Sequence, residues 1–74
     1  MSRTLNEIQQ VLACNLKIAR QLKGISQENL AFAAEVDRTY ISQIERGIGN
    51  PSVNVLLKIA KELDVDILDL LKND

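Results

Sequence analysis

Ser26-Gln27-Glu28-Asn29-Leu30-Ala31-Phe32-Ala33-Ala34-Glu35-Val36-Asp37-Arg38-Thr39-Tyr40-Ile41-Ser42-Gln43-Ile44-Glu45-Arg46-Gly47 holds two short helical patterns with only about three residues, Glu35-Val36-Asp37, between them. Ser26 suits the N-cap of a helix over 27–34, and Asp37 the N-cap of one running from Arg38 to about Arg46. Helices joined so tightly must cross steeply. Ala31 is small where the two come closest, while Leu30, Ala34, Val36, Ile41 and Ile44 turn apolar groups inward. What stays outward on the second helix is Arg38, Thr39, Ser42, Gln43 and Arg46, with Tyr40 to one side.

Upstream, Thr4-Leu5-Asn6-Glu7 fits a capping box and opens a helix from about Leu5 to Lys23, which Gly24 stops in a left-handed conformation. Its apolar residues, Leu5, Ile8, Val11, Leu12, Leu16, Ile18, Ala19 and Leu22, spread over roughly 200° of the circumference. A helix sandwiched between the middle and the end of a small domain explains that width. The sharper reading has Val11, Ile18 and Leu22 facing another subunit. Downstream of a Gly47-Ile48-Gly49-Asn50-Pro51 loop, Ser52 caps a fourth helix in which Val55, Leu56, Ile59, Ala60 and Leu63 recur at helical spacing. Asp66 caps a fifth, Ile67 to Leu71, with Asp69 suited to its positive dipole end. The expected fold is all-α: a compact five-helix domain over 1–74, with helices 2 and 3 crossing over 27–46 and the C-terminal helices, 52–71, serving packing and dimerisation.

Composition narrows the function. The chain has 74 residues, net charge −1, no His, and Cys14 as its one cysteine. That rules out an intramolecular disulfide, a zinc site of the usual Cys/His kind, and the Ser-His-Asp or Cys-His nucleophile arrangements. The carboxylates fall on caps and exposed faces without paired acid/base geometry, so an enzyme is not expected, nor a metal or other cofactor. The longest unbroken apolar run, Leu30 to Ala34, is five residues, against the ~20 that span a bilayer. No secretory signal precedes the body of the chain, and the expectation is cytoplasmic.

Taken in order, Ser26 to Ala31, Val36 to Gly47, Asn50-Pro51-Ser52 and Leu57 to Val65 resemble the repressor-type helix-turn-helix family, the Xre or lambda-repressor-like group, over about residues 12–71. Within it, Asp37-Arg38-Thr39-Tyr40-Ile41-Ser42 is similar to the recognition helices of restriction–modification controller proteins. The resemblance implies sequence-specific binding of operator DNA, and the residues suit that chemistry. Arg38 can fork two N–H groups onto guanine O6 and N7, and Thr39, Ser42 and Gln43 offer short polar arms to neighbouring base edges. Ser26 and Gln27 stand at the positive end of the second helix, where a phosphate would sit. Tyr40, Arg46 and Asn50 suit phosphates, which set position without reading sequence; packing is the competing reading for Tyr40. Arg20 and Glu45 match family positions that pair internally. Glu35 departs from the glycine usual at the corner, and if left-handed it costs about 1 kcal/mol.

One recognition helix reads about three to five base pairs, so a homodimer on a palindrome, with recognition helices about 34 Å apart, is expected. Ile67, Leu68, Leu70 and Leu71 exceed the apolar needs of one small domain, and part of that set, with Val53 or Leu56 of the fourth helix, is expected to form the dimer interface; closing the monomer core is the alternative. Cys14 reads as a small helix-face group rather than a redox sensor. Asn15, inside the apolar arc, either makes a local polar contact or marks a shared interface. The rival function is an antitoxin or adaptor that uses the same fold mainly to hold a protein, which the acidic balance and the wide first-helix arc favour. Residues 1–50 carry six Lys/Arg against five Asp/Glu, and residues 51–74 three against five, so the acidity lies behind the DNA-facing half.

Overall fold

Each helix in this chain starts on a short side chain that caps its own first turn. The computed structural model, which describes residues 2–73, has five helices: α1 (Leu5–Lys23), α2 (Gln27–Ala34), α3 (Arg38–Glu45), α4 (Val53–Leu63) and α5 (Ile67–Leu71). Thr4, Ser26, Asp37, Ser52 and Asp66 all hold extended backbone, and each side-chain oxygen accepts a first-turn N–H. The Thr4 box closes reciprocally: Glu7 N–H donates to Thr4 Oγ1 at 3.1 Å and Thr4 N–H to Glu7 Oε1 at 2.9 Å. The bond from Thr4 N–H, with a further contribution from the Thr4 side chain, holds the Glu7 carboxyl below its ordinary value of 4.5.

The helix ends repeat one device. Gly24, Glu35 and Asp64 are left-handed, with φ of 73°, 58° and 60°. After Glu35, Val36 N–H donates back to the Ala31 carbonyl at 2.9 Å; after Asp64, Val65 N–H donates to that of Ala60 at 3.0 Å. In both turns a left-handed acid is followed by a half-buried Val packed on the core and then an Asp that caps the next helix. The α2–α3 corner and the α4–α5 corner are thus the same turn used twice.

Leu12 and Leu16 of α1, Leu30, Ala31 and Ala34 of α2, Ile41 and Ile44 of α3, Leu56, Ile59, Ala60 and Leu63 of α4, and Leu70 of α5 form one core. α1 packs against both α3 and α5, while α2 packs against α3 and α4. The sandwiched position of α1 accounts for much of its wide apolar arc, although Leu5, Ile18 and Leu22 remain exposed. No helix among the described residues is long and apolar enough to cross a membrane.

Two residues of the expected dimer interface are instead core. Leu56 is 5% exposed and Leu70 1%, so neither offers surface to a second subunit. The reason lies in how α5 folds back onto α1. Asn15 Nδ2 donates to the carbonyls of Leu70 at 3.0 Å and Lys72 at 2.8 Å, satisfying carbonyls that a helix end leaves open. With the end of α5 fastened there, Leu70 sits among the core side chains. Asn15 therefore has a structural partner inside the chain. Val53 and Leu68 are 66% and 67% exposed, Ile67 and Leu71 are half-buried, and Cys14 is an exposed free thiol.

Candidate nucleic-acid interface

Helix α3 is anchored by Ile41 and Ile44, three residues apart and both buried, which fixes its rotation about its own axis. The opposite side then presents two adjacent columns, Arg38 over Ser42 and Thr39 over Gln43, each pair one turn apart. Arg38, Thr39 and Gln43 are exposed and Ser42 is half-buried, so the serine sits deepest of the four. Asp37 accepts from Thr39 N–H at 2.9 Å, which commits its carboxylate to the helix start. Tyr40 lies to the side, half-buried and packed on the core. Arg46 follows the last turn as an exposed, right-handed C-cap. Arg38 and Arg46 form no ion pair among the described residues.

The other end of α3 is tied to α1 and α2 by one buried carboxylate. Glu45 accepts from Arg20 Nε at 2.6 Å on one oxygen, and from Arg20 Nη2 and Gln27 Nε2, each at 3.1 Å, on the other. Arg20 Nη1 also donates to the Ile25 carbonyl at 2.9 Å. The hydrogen bond to Glu45, together with its charge, raises the Arg20 pKa against the opposing effect of burial. A carboxylate at the last residue of a helix opposes the helix dipole, and the fork of Arg20 offsets this. With its side chain only 2% exposed, Glu45 adds little negative charge to the outward face.

At the start of α2, Ser26 Oγ accepts from Asn29 N–H at 3.0 Å, which leaves its hydroxyl hydrogen as a donor. Gln27 is half-buried and spends one amide hydrogen on Glu45. Beyond α3, the Gln43 carbonyl accepts from both Ile48 and Gly49 N–H, so of the Gly49-Asn50 pair only Asn50 keeps its N–H for outside use. Asn50 is exposed. Two residues, one beside this surface and one beside Val53, lie outside the expected site residues. Gln9 donates to the Gly49 carbonyl at 2.8 Å, a contact between residues far apart in the chain that leaves no local signature. Leu57 is exposed one turn beyond Val53 on α4, and its signal was the four-residue spacing to Val53. Among the described residues no group of three or more His, Cys, Asp or Glu is placed to hold a metal ion.

Comparison with known proteins gives a consistent picture. A family model described as "Helix-turn-helix" matches residues 16–70. The control protein C.BamHI of Bacillus amyloliquefaciens is 53% identical over 48 residues, covering 65% of this chain and 59% of that protein. The control protein C.SmaI of Serratia marcescens is 35% identical over 65 residues, covering 88% and 77%. Among solved structures, the restriction–modification controller protein C.AhdI of Aeromonas hydrophila superposes with a TM-score of 0.81 at 39% identity, covering 84% of this chain and 94% of its own. The chain thus spans about three-fifths of the length of C.BamHI and nearly all of C.AhdI.

Proposed function

Because the chain belongs to the Xre-like helix-turn-helix family through residues 16–70, we propose that it is a sequence-specific DNA-binding transcriptional regulator of the restriction–modification controller kind, acting in the cytoplasm as a homodimer on a palindromic operator. It does no chemistry on its ligand and works without cofactor. The observation that carries this reading is the face of α3: Arg38, Thr39 and Gln43 exposed on a helix whose rotation is fixed by buried Ile41 and Ile44. Arg38, Thr39, Ser42 and Gln43 read base edges in the major groove, and Arg38 contributes most because a bidentate fork onto guanine discriminates by ~1–3 kcal/mol. Ser26, Gln27, Tyr40, Arg46 and Asn50 hold phosphates and set the register.

The dimer forms through the outer side of the 52–71 segment, with Val53, Leu57 and Leu68 as exposed anchors and Ile67 and Leu71 at their edges. Leu68→Glu is expected to give a monomer at tens of micromolar by sedimentation; an unchanged dimer removes α5 from the interface. The function is tested by selecting bound sites from random duplex DNA. A palindrome with fixed half-site spacing is expected, and Arg38→Ala should abolish specific binding without altering the circular dichroism spectrum. Unchanged binding of the selected site by Arg38→Ala refutes the reading of α3.

One observation favours a second reading, a protein-holding role of the antitoxin or adaptor type. Exposed Ile18 and Leu22 of α1 border an open groove of about 460 Å³ against Leu63, Val65 and Leu70. Co-purification of a toxin with the chain, lost in Leu22→Glu, would support that role.

A further inference from the structure

The loop that follows α3 is gripped from both sides, and we propose that Gln9 of α1 is a positioning residue for DNA binding: it orients the peptide group whose N–H, that of Asn50, meets a backbone phosphate. The inference rests on the DNA-binding reading above. On the α3 side, the Gln43 carbonyl takes Ile48 N–H at 3.1 Å and Gly49 N–H at 3.0 Å. On the α1 side, Gln9 Nε2 donates to the Gly49 carbonyl at 2.8 Å, across 40 residues of chain. Toward α3 the loop has no room to move. A Cβ on Gly49 would lie 2.9 Å from the Ile44 backbone nitrogen. A Cβ on Gly47, itself left-handed at φ 78°, would lie 2.6 Å from Gln10 Nε2. Gly47 and Gly49 are accordingly buried, while Ile48 and Asn50 alternate with them as exposed residues.

The geometry of the peptide unit turns that grip into a direction. The Gly49 carbonyl and the Asn50 N–H belong to one planar group, and it is trans, so the two bonds point opposite ways. Fastening the carbonyl to Gln9 therefore aims the Asn50 N–H away from α1. That N–H makes no hydrogen bond among the described residues. A fixed outward N–H beside an exposed side-chain amide, one loop beyond the base-reading columns, is the arrangement a phosphate oxygen accepts from. Gln9 never touches the DNA in this scheme. It removes the ordering of the loop from the binding step, which is worth roughly three- to tenfold in affinity.

The test uses the full-length chain and the duplex recovered by site selection, with phosphate ethylation interference as the main readout. Gln9→Met keeps the length of the side chain and its helix propensity but has no N–H donor; Gln9→Glu is the second variant, with an acceptor in place of the donor. Both are expected to remain folded at the assay temperature by circular dichroism. Each should bind roughly three- to tenfold more weakly on selected and random duplexes alike, because a phosphate contact carries no sequence information. For Gln9→Met the salt dependence should not change, since a neutral amide releases no counterions. Interference should disappear at one phosphate per half-site and persist elsewhere. A merely structural role for Gln9 would lower the melting temperature and leave the interference pattern intact, and that result overturns the inference alone. A parent chain that binds no duplex overturns the DNA-binding reading and this inference with it.

Discussion

Glu35→Gly is expected to stabilise the protein, and the size of the effect follows from one dihedral angle. Glu35 has φ 58° and ψ 43° at the corner between α2 and α3. In that left-handed conformation the Cβ crowds the following carbonyl, at a cost of ~1–2 kcal/mol. Glycine removes the crowding but gives back ~0.5–1 kcal/mol through its greater freedom in the unfolded chain. The net gain is about 0.5–1 kcal/mol, which in a domain of this size raises the melting temperature by about 3–6 °C. Thermal unfolding at one fixed protein concentration measures it. Glu35→Gln is the control, because it removes the charge and keeps the strained backbone, and its midpoint should rise less than that of Glu35→Gly. Asp64, left-handed in the equivalent turn at φ 60°, should gain less from Asp64→Gly, since Asp enters this region more readily than Glu. A lower midpoint for Glu35→Gly, or an equal rise for Glu35→Gln, refutes the backbone argument.

Other expectations come from the polar contacts. Glu45→Ala leaves Arg20 facing an empty, largely buried position and should cost about 3 kcal/mol by denaturant titration; a loss under 1 kcal/mol would mean that solvent already screens the pair. Asn15→Ala removes two bonds that hold the end of α5 and should cost about 1–2 kcal/mol. Its hydrogen exchange should speed up over α5 and stay unchanged over α2 and α3, and uniform exchange would show that α5 does not open separately. The Glu7 carboxyl should titrate below 4.5 by carbon NMR, because Thr4 bonds its ionised form. A lowered folded pKa stabilises above the unfolded value, so the support it lends to the start of α1 is present above pH 4.5 and lost as pH falls through the folded value. A midpoint at or above 4.5 would show the box to be open in solution.

The five helices and the α2–α3 corner were legible because their causes are local. An oxygen-bearing cap, a left-handed stop and apolar residues three and four apart act within one or two turns, so Ser26, Asp37, Gly24 and the Leu30–Ile44 pattern state the fold outright. The polar face of α3 was legible for the same reason: once Ile41 and Ile44 are inside, Arg38, Thr39 and Gln43 can only be outside. Periodicity says which face of a helix is apolar, but not what covers it. Leu56 and Leu70 looked like spare surface for a partner, yet α5 folds onto α1 and the monomer core takes both. Leu57, by contrast, was left exposed one turn beyond Val53.

The same limit governs the polar groups. Asn15 finds its carbonyls 55 and 57 residues away, Gln27 is held by Glu45 across 18, and Gln9 reaches Gly49 across 40. A side chain of this kind has several ways to satisfy its hydrogen bonds within its own turn or in water. Only the packed arrangement removes the water and brings one distant acceptor within 3 Å or so. The sequence by itself therefore determined the helices, the α2–α3 corner and the face offered outward. Tertiary structure decided which apolar residues remain for a second subunit and which glutamine holds the loop beside that face, because both depend on neighbours that chain order does not specify.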